Sequence, residues 1–138
     1  MSCENRVPEN QPRDGDSFAS GFQGSVSVGE GRTLVQLQAD PLGGDWVLRI
    51  TGGEAHVGAV ATAGAGKVQL SVVEPHKEGP LAEVCAGQWS KLTGRVCVAV
   101  AGIHQDEATR QEIDGIVENV RQGLDILMIR WREANHAE

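Results

Sequence analysis

The chain has no tyrosine, only two phenylalanines and three tryptophans, so few rings are present to stack on a nucleobase or a flavin. Any planar ligand must then be held mainly by backbone and aliphatic contacts. Basic residues are also scarce. Twelve Lys and Arg against 19 Asp and Glu give a formal charge of -7, and no local basic stripe offsets the repulsion of a phosphate backbone. Nucleic acid is excluded as a partner on that ground. No apolar run is long enough to span a bilayer as a helix, which argues against a membrane protein. Cysteine is limited to Cys3, Cys85 and Cys97, an odd number without CxxC spacing, and Met1 to Gln11 is polar and acidic rather than basic and then apolar. These features predict a reducing, cytoplasmic setting and no zinc knuckle.

What is present fits one domain: 138 residues, 40% of them hydrophobic, are enough for a single core and leave little for a second. Residues 1–24 mix Pro8, Pro12, Gly15, Gly21 and Gly24 with polar side chains, a composition predicting a flexible leader before one domain over 25–138. Thr33 to Ala39 partly alternate, Pro41 to Gly44 form a turn and Trp46 to Ile50 resume, which predicts an antiparallel hairpin. His56 to Ala63 and Lys67 to Val73 read as two further strands, extending the sheet as a meander. Gly79 and Pro80 then open a helix whose apolar face carries Leu81, Val84, Cys85, Trp89 and Leu92 and which Gly94 stops. The run Val96 to Ala101 suits a strand covered on both faces. A final helix, capped by Asp106 or by the Thr109/Glu112 pair, carries Ile113, Ile116, Val117, Val120, Leu124, Leu127, Met128 and Trp131 on one stripe. The predicted class is α+β, a mostly antiparallel sheet with two helices on one face and the other face open as a dimer surface.

His56, His76 and His104 fall at element boundaries, where function concentrates in such domains. If the segment from Lys67 through the first helix to Ala101 is a crossover between parallel strands, His76 and His104 leave the same end of the sheet. Each directly precedes a helix, so two helix N-termini and Lys77 would favour an anion between them. A metal would need His56, His76 and His104 with Asp106, Glu54 or Glu78, and no short-range ligand spacing supports it. Gly64-Ala65-Gly66-Lys67 is a turn rather than a phosphate loop, because Ala61 and Val68 break the motif and a strand follows. Cys85 and Cys97 lie in apolar runs, Glu54 beside His56 is read first as a solvated carboxylate, and no nucleophile with a base is apparent. Gly115 and Gly123 weaken the last helix unless a close neighbour, the sheet or a second subunit, requires them.

Three segments taken in order, Gly52-Gly53-Glu54-Ala55-His56-Val57-Gly58-Ala59-Val60, Pro75-His76-Lys77-Glu78 and Gly102-Ile103-His104-Gln105-Asp106-Glu107-Ala108-Thr109, resemble the small prenylated-flavin chaperones associated with UbiD-type decarboxylases, such as the small D subunit of gallate decarboxylase. The resemblance spans roughly residues 30 to 132. It implies a fold like that of proteasome assembly chaperones, a homodimer, and a non-catalytic helper that binds prenylated FMN, or FMN itself. That helper would assist the cofactor's maturation or delivery to a UbiD-type decarboxylase, with a flavin prenyltransferase as the source. The site it implies is His56, His76, Lys77 and His104, with Gly52, Gly53 and Gly58 letting backbone approach the cofactor. Two other classes stand beside it. One is an assembly protein that holds partner subunits without a cofactor, and the other is a small metal-dependent enzyme built on the three histidines.

Overall fold

The computed structural model describes residues 22, 24–73 and 77–136. Along the chain lie β1 (Ser25–Val28), one 3₁₀ turn (Gly31–Thr33), β2 (Val35–Leu42), β3 (Asp45–Gly53), β4 (Ala59–Gly64), β5 (Lys67–Val72), α1 (Gly79–Thr93), β6 (Cys97–His104) and α2 (Arg110–Asn135). The strands form one sheet in the order β1-β2-β3-β6-β4-β5, antiparallel throughout except for β3 beside β6. The α+β class is as expected, but the sheet is not a simple meander. The most apolar strand, β6, enters between β3 and β4. There its backbone is paired on both sides, from Trp46↔Cys97 to Gly53↔His104 with β3 and from Ala63↔Cys97 to Ala59↔Ala101 with β4. The strand thereby meets the requirement that buried N–H and C=O groups be paired.

This insertion forces the link between β3 and β4 to cross the end of β6. Gly102 is the crossing point, because a Cβ on it would strike the carbonyl oxygen of His56 in that link. The strand expected from His56 accordingly begins only at Ala59. Since β5 and β6 both run antiparallel to β4, they point the same way, as the crossover reading required, with β4 lying between them.

Strand alternation places Val35, Leu37, Ala39, Trp46, Leu48, Ile50, Ala59, Ala61, Ala63, Cys97, Ala99 and Ala101 on one buried face. Both helices cover that face, α1 over β4, β5 and β6 and α2 over β1 and β2. The alanines of β4 and β6 let α1 lie close, and its Trp89 meets Trp46 edge-on with centroids 5.3 Å apart. On the other face Val60, Thr62, Val98 and Val100 are half-buried and Gln36 and Arg49 exposed, with no second layer among the described residues. The two-sided cover expected for β6 is therefore one-sided among the described residues.

Several local signals act as expected and others shift. Pro41 lies inside β2, opposite Trp46, rather than in the turn, which narrows to Gly43-Gly44. It is tolerated there because β1 pairs β2 only from Val35 to Gln38, leaving the proline on an unpaired edge. Gly94 ends α1 in the left-handed conformation at φ 72°. The start of α2 is the Thr109/Glu112 capping box, not an Asp106 cap. Gly115 and Gly123 do face the sheet side: a Cβ on Gly115 would lie 3.3 Å from the Thr33 methyl, and one on Gly123 2.7 Å from Leu37 Cδ1. Strand β1 had no signal of its own and falls next to the predicted leader. Of that leader, residues 1–21 and 23 lie outside the described residues, whereas Phe22 packs on Trp46 and Trp89 at 5.7 and 6.0 Å. The Gly24 carbonyl accepts the Ala39 N–H.

The crossing at Gly102 opposes two backbones, neither able to yield as a side chain would. Gly102→Ala is expected to cost about 1–3 kcal/mol, measured by urea unfolding, and an unchanged midpoint would show that the crossing can open without penalty.

Candidate functional site

The C-terminal end of β6 gathers the chemically able residues. Parallel pairing brings Gly52 and Gly53 of β3 opposite Ile103 and His104, and the crossing link brings His56 over the same end. The His56 and His104 rings lie with centroids 6.3 Å apart at 81°. Lys77 enters from the β5 side, just before α1. His76, with Glu74 and Pro75, lies outside the described residues.

A residue with little sequence signal joins these segments. Glu78, the residue before α1, is 8% exposed, and its Oε2 accepts the Ile103 N–H at 2.9 Å and lies 3.1 Å from His56 Nε2. His56 Nδ1 sits 3.0 Å from the Glu54 carbonyl. A carbonyl only accepts, so Nδ1 is the donor in that contact. Gly58 provides the room: a Cβ there would lie 2.5 Å from Glu78 Oε1. Protein atoms also border the other two glycines. A Cβ on Gly52 would lie 2.9 Å from the Leu34 carbonyl, and Gly53, at φ 61°, faces the His104 carbonyl.

His104 is about half exposed, and its Nε2 donates to Asp106 Oδ1 at 2.8 Å. The loop that follows is fastened by Arg32, which donates to the Asp106 carbonyl at 2.6 Å and to Glu112 Oε2 at 2.8 Å. The Arg32 hydrogen bond, with the Thr109 backbone, holds the Glu112 carboxyl below its ordinary range.

Neither helix start is the open anion site that the sequence suggested. Glu78 precedes α1 without capping it, its carboxylate turned to Ile103 and His56, and Pro80 in the first turn has no N–H. At α2, Thr109 Oγ1 and the Glu112 carboxylate already accept the Glu112 and Thr109 N–H groups, and Asp106 and Glu107 add negative charge nearby. A phosphate would have to be met by side-chain cations instead.

Those cations border a cleft of about 520 Å³ between α1 and α2. Its walls are aliphatic: Leu81 and Val84 from α1, Ile113, Val117 and Leu124 from α2, with Ile103 of β6 between them. Lys77, Glu78, His104 and Gln105 supply polar lining, and Arg121 stands on the α2 side. His56 does not line it but touches two residues that do, Glu78 and His104. Of the residues expected from the sequence, Lys77 and His104 therefore share the cleft, while His56 is one contact removed. Glu78 as a structural hub, Arg121 and the aliphatic walls were not anticipated. The walls belong to the helical stripes assigned to the core.

The other chemistries find less support. Cys85 and Cys97 are buried free thiols that desolvation pushes up to about 12. Among the described residues no three His, Cys, Asp or Glu side chains come together as a metal site, and the three-histidine reading needs His76. No described helix is long and apolar enough to cross a membrane.

The model of the prenylated flavin chaperone LpdD-like domain matches residues 29–132. This chain belongs to that family. No curated protein matches it. Among solved structures it is similar to a chain of a chaperone complex for yeast 20S proteasome assembly, at 13% identity and a TM-score of 0.53, over 78% of this chain and 96% of that one. That likeness is one of fold, and it is the fold the sequence led us to expect.

Two outcomes follow. Because the Glu112 pKa is lowered in the fold, the stability its ion pair contributes is complete above the ordinary carboxylate range and is lost as pH falls through the lowered value. Glu112→Gln should therefore destabilise at neutral pH and match the wild type in strong acid, as read by unfolding across pH. Cys85 and Cys97 should resist iodoacetamide at pH 8 until the chain is unfolded, and peptide mapping showing either one labelled in the native protein would contradict their burial.

Proposed function

We propose that this member of the prenylated flavin chaperone family binds prenylated FMN and assists its maturation or its delivery to a UbiD-type decarboxylase. The observation that carries the reading is the aliphatic cleft of about 520 Å³ with Lys77, His104 and Arg121 at its border. Its size is in the range of sites for compact organic ligands. Its walls suit an apolar ring system, and its cations suit a phosphate, so the residues present fit the cofactor. Lys77 and Arg121 would meet the phosphate, and His104, oriented by Asp106, would offer a hydrogen bond to the polar edge of the ring system. His76 belongs to the same proposed site, and His56 would act through Glu78. Gly58 contributes by leaving space for the Glu78 carboxylate, and Gly52 and Gly53 by letting the β3 and β6 ends close together.

Decarboxylation chemistry is supplied by the cofactor once it is in the decarboxylase. The carrier has only to bind, shield from water and release. An aliphatic cleft open to solvent, without an aromatic platform in its walls, suits release better than a stacked site would. The reading extends to a flavin prenyltransferase as the source and to a homodimer formed on the open sheet face, where Val60, Val98 and Val100 have no covering layer among the described residues. It also places the protein in the cytoplasm.

Co-expression with a flavin prenyltransferase and anaerobic purification should yield a chain carrying prenylated FMN, identified by absorbance and mass. His76→Ala/His104→Ala should lose most of it while keeping the wild-type melting temperature. A colourless wild-type protein under saturating cofactor would overturn the reading in favour of an assembly protein without cofactor.

A further inference from the structure

Resting on that reading, we infer that the interhelical cleft is the specificity element of the site: it seats the isoprenoid-derived ring of the cofactor and so separates prenylated from unprenylated FMN. The first ground is the chemistry of the walls. Phe22, Trp46 and Trp89, which could have stacked on a flavin, are instead packed on one another beneath α1 and line no part of the cleft. A site without a ring platform gains little from the flat isoalloxazine system common to both flavins. Aliphatic walls gain most from aliphatic substance, and prenylation adds a saturated, methyl-bearing ring. Each added carbon that leaves water is worth about a fourfold gain in binding.

The second ground is exposure. Val84 is 41% and Ile113 46% exposed, and among the exposed large aliphatic side chains these two stand on facing helices of the same cleft. Large aliphatic side chains held open in this way lower the free energy only when something apolar covers them. The cleft is continuous with the border carrying Lys77 and His104, so an occupant anchored there by its polar groups would turn its apolar ring toward Val84 and Val117. A helix of a partner protein is the competing occupant. It would not distinguish the two flavins.

The test is a pair of anaerobic binding titrations, with prenylated FMN and with FMN, followed by absorbance and by calorimetry. Wild-type protein is expected to prefer prenylated FMN at least tenfold. In Val84→Gln and Val117→Gln, each at a partly exposed position, that ratio is expected to fall toward one. Methyl NMR of the unmutated protein gives an independent measurement, in which the Leu81, Val84, Ile113 and Val117 methyl signals shift with prenylated FMN and not with FMN. If wild type prefers the prenylated cofactor but the variants keep the preference and the methyl signals stay still, the ring is seated elsewhere and this inference fails while the carrier function stands. Equal affinity of the wild type for both flavins would also overturn it. If neither flavin binds, the carrier function itself fails.

Discussion

The pairing of β6 on both edges is the constraint from which the rest of the molecule follows. Parallel to β3 and antiparallel to β4, the strand satisfies its backbone groups only by separating two strands that are consecutive in sequence. The chain must then carry the β3–β4 link across the end of β6, which requires Gly102 and puts His56 above that end. The same insertion leaves β5 and β6 pointing one way, so that the segment before α1 and the end of β6 arrive together. Without it, Lys77, Glu78, His56 and His104 would have no common location.

Where these segments meet, a buried carboxylate links them. Glu78 accepts a hydrogen bond from Ile103, faces His56 and fills the gap at Gly58. A buried charge is costly unless it is paired and hydrogen-bonded, and removing one partner of such a pair destabilises strongly. The hub therefore fixes the start of α1 against the end of β6, and with it the wall of the cleft. Arg32 performs a parallel task for the other wall, tying the loop before α2 to Glu112 and the Asp106 carbonyl. The start of α2 is occupied by acidic groups of the protein itself, and the first turn of α1 lacks an N–H at Pro80. The cations that remain for an anionic ligand are thus side chains at the border of the cleft, and the positive ends of the helices contribute less than their sequence positions suggested.

Much of the fold was legible because its signals are local. Gly79-Pro80 and Gly94 bound α1, Thr109 and Glu112 cap α2, and alternation in Val35-Leu37-Ala39 and Trp46-Leu48-Ile50 gives the buried faces of β2 and β3. Strand β1 escaped because SVSV is short and partly exposed, and only pairing with β2 makes it a strand. Of the candidate site, the described parts of the three ordered segments that carry the family resemblance, with His56, Lys77, Glu78 and His104, meet at one end of the sheet, and the family match covers residues 29–132. Glu78 was named only as a possible metal ligand and as part of a family segment, not as the link between α1 and β6. Its burial depends on Gly58, twenty residues earlier, being small. The aliphatic cleft was hidden inside helical stripes that look the same whether they meet a sheet, one another or a ligand.

The sequence by itself therefore determined the α+β class, the two amphipathic helices with their ends, and the family. Each of these depends on composition or on residues a few positions apart, where propensity, capping and charge act without reference to the rest of the chain. Only the tertiary structure decided the strand order, the burial of Glu78 against His56 and the opening between α1 and α2. These depend on which distant segments compete for the edges of β6 and on how much apolar helix surface the sheet can cover. Such outcomes are set by long-range pairing and packing, for which no short stretch of sequence carries a signal.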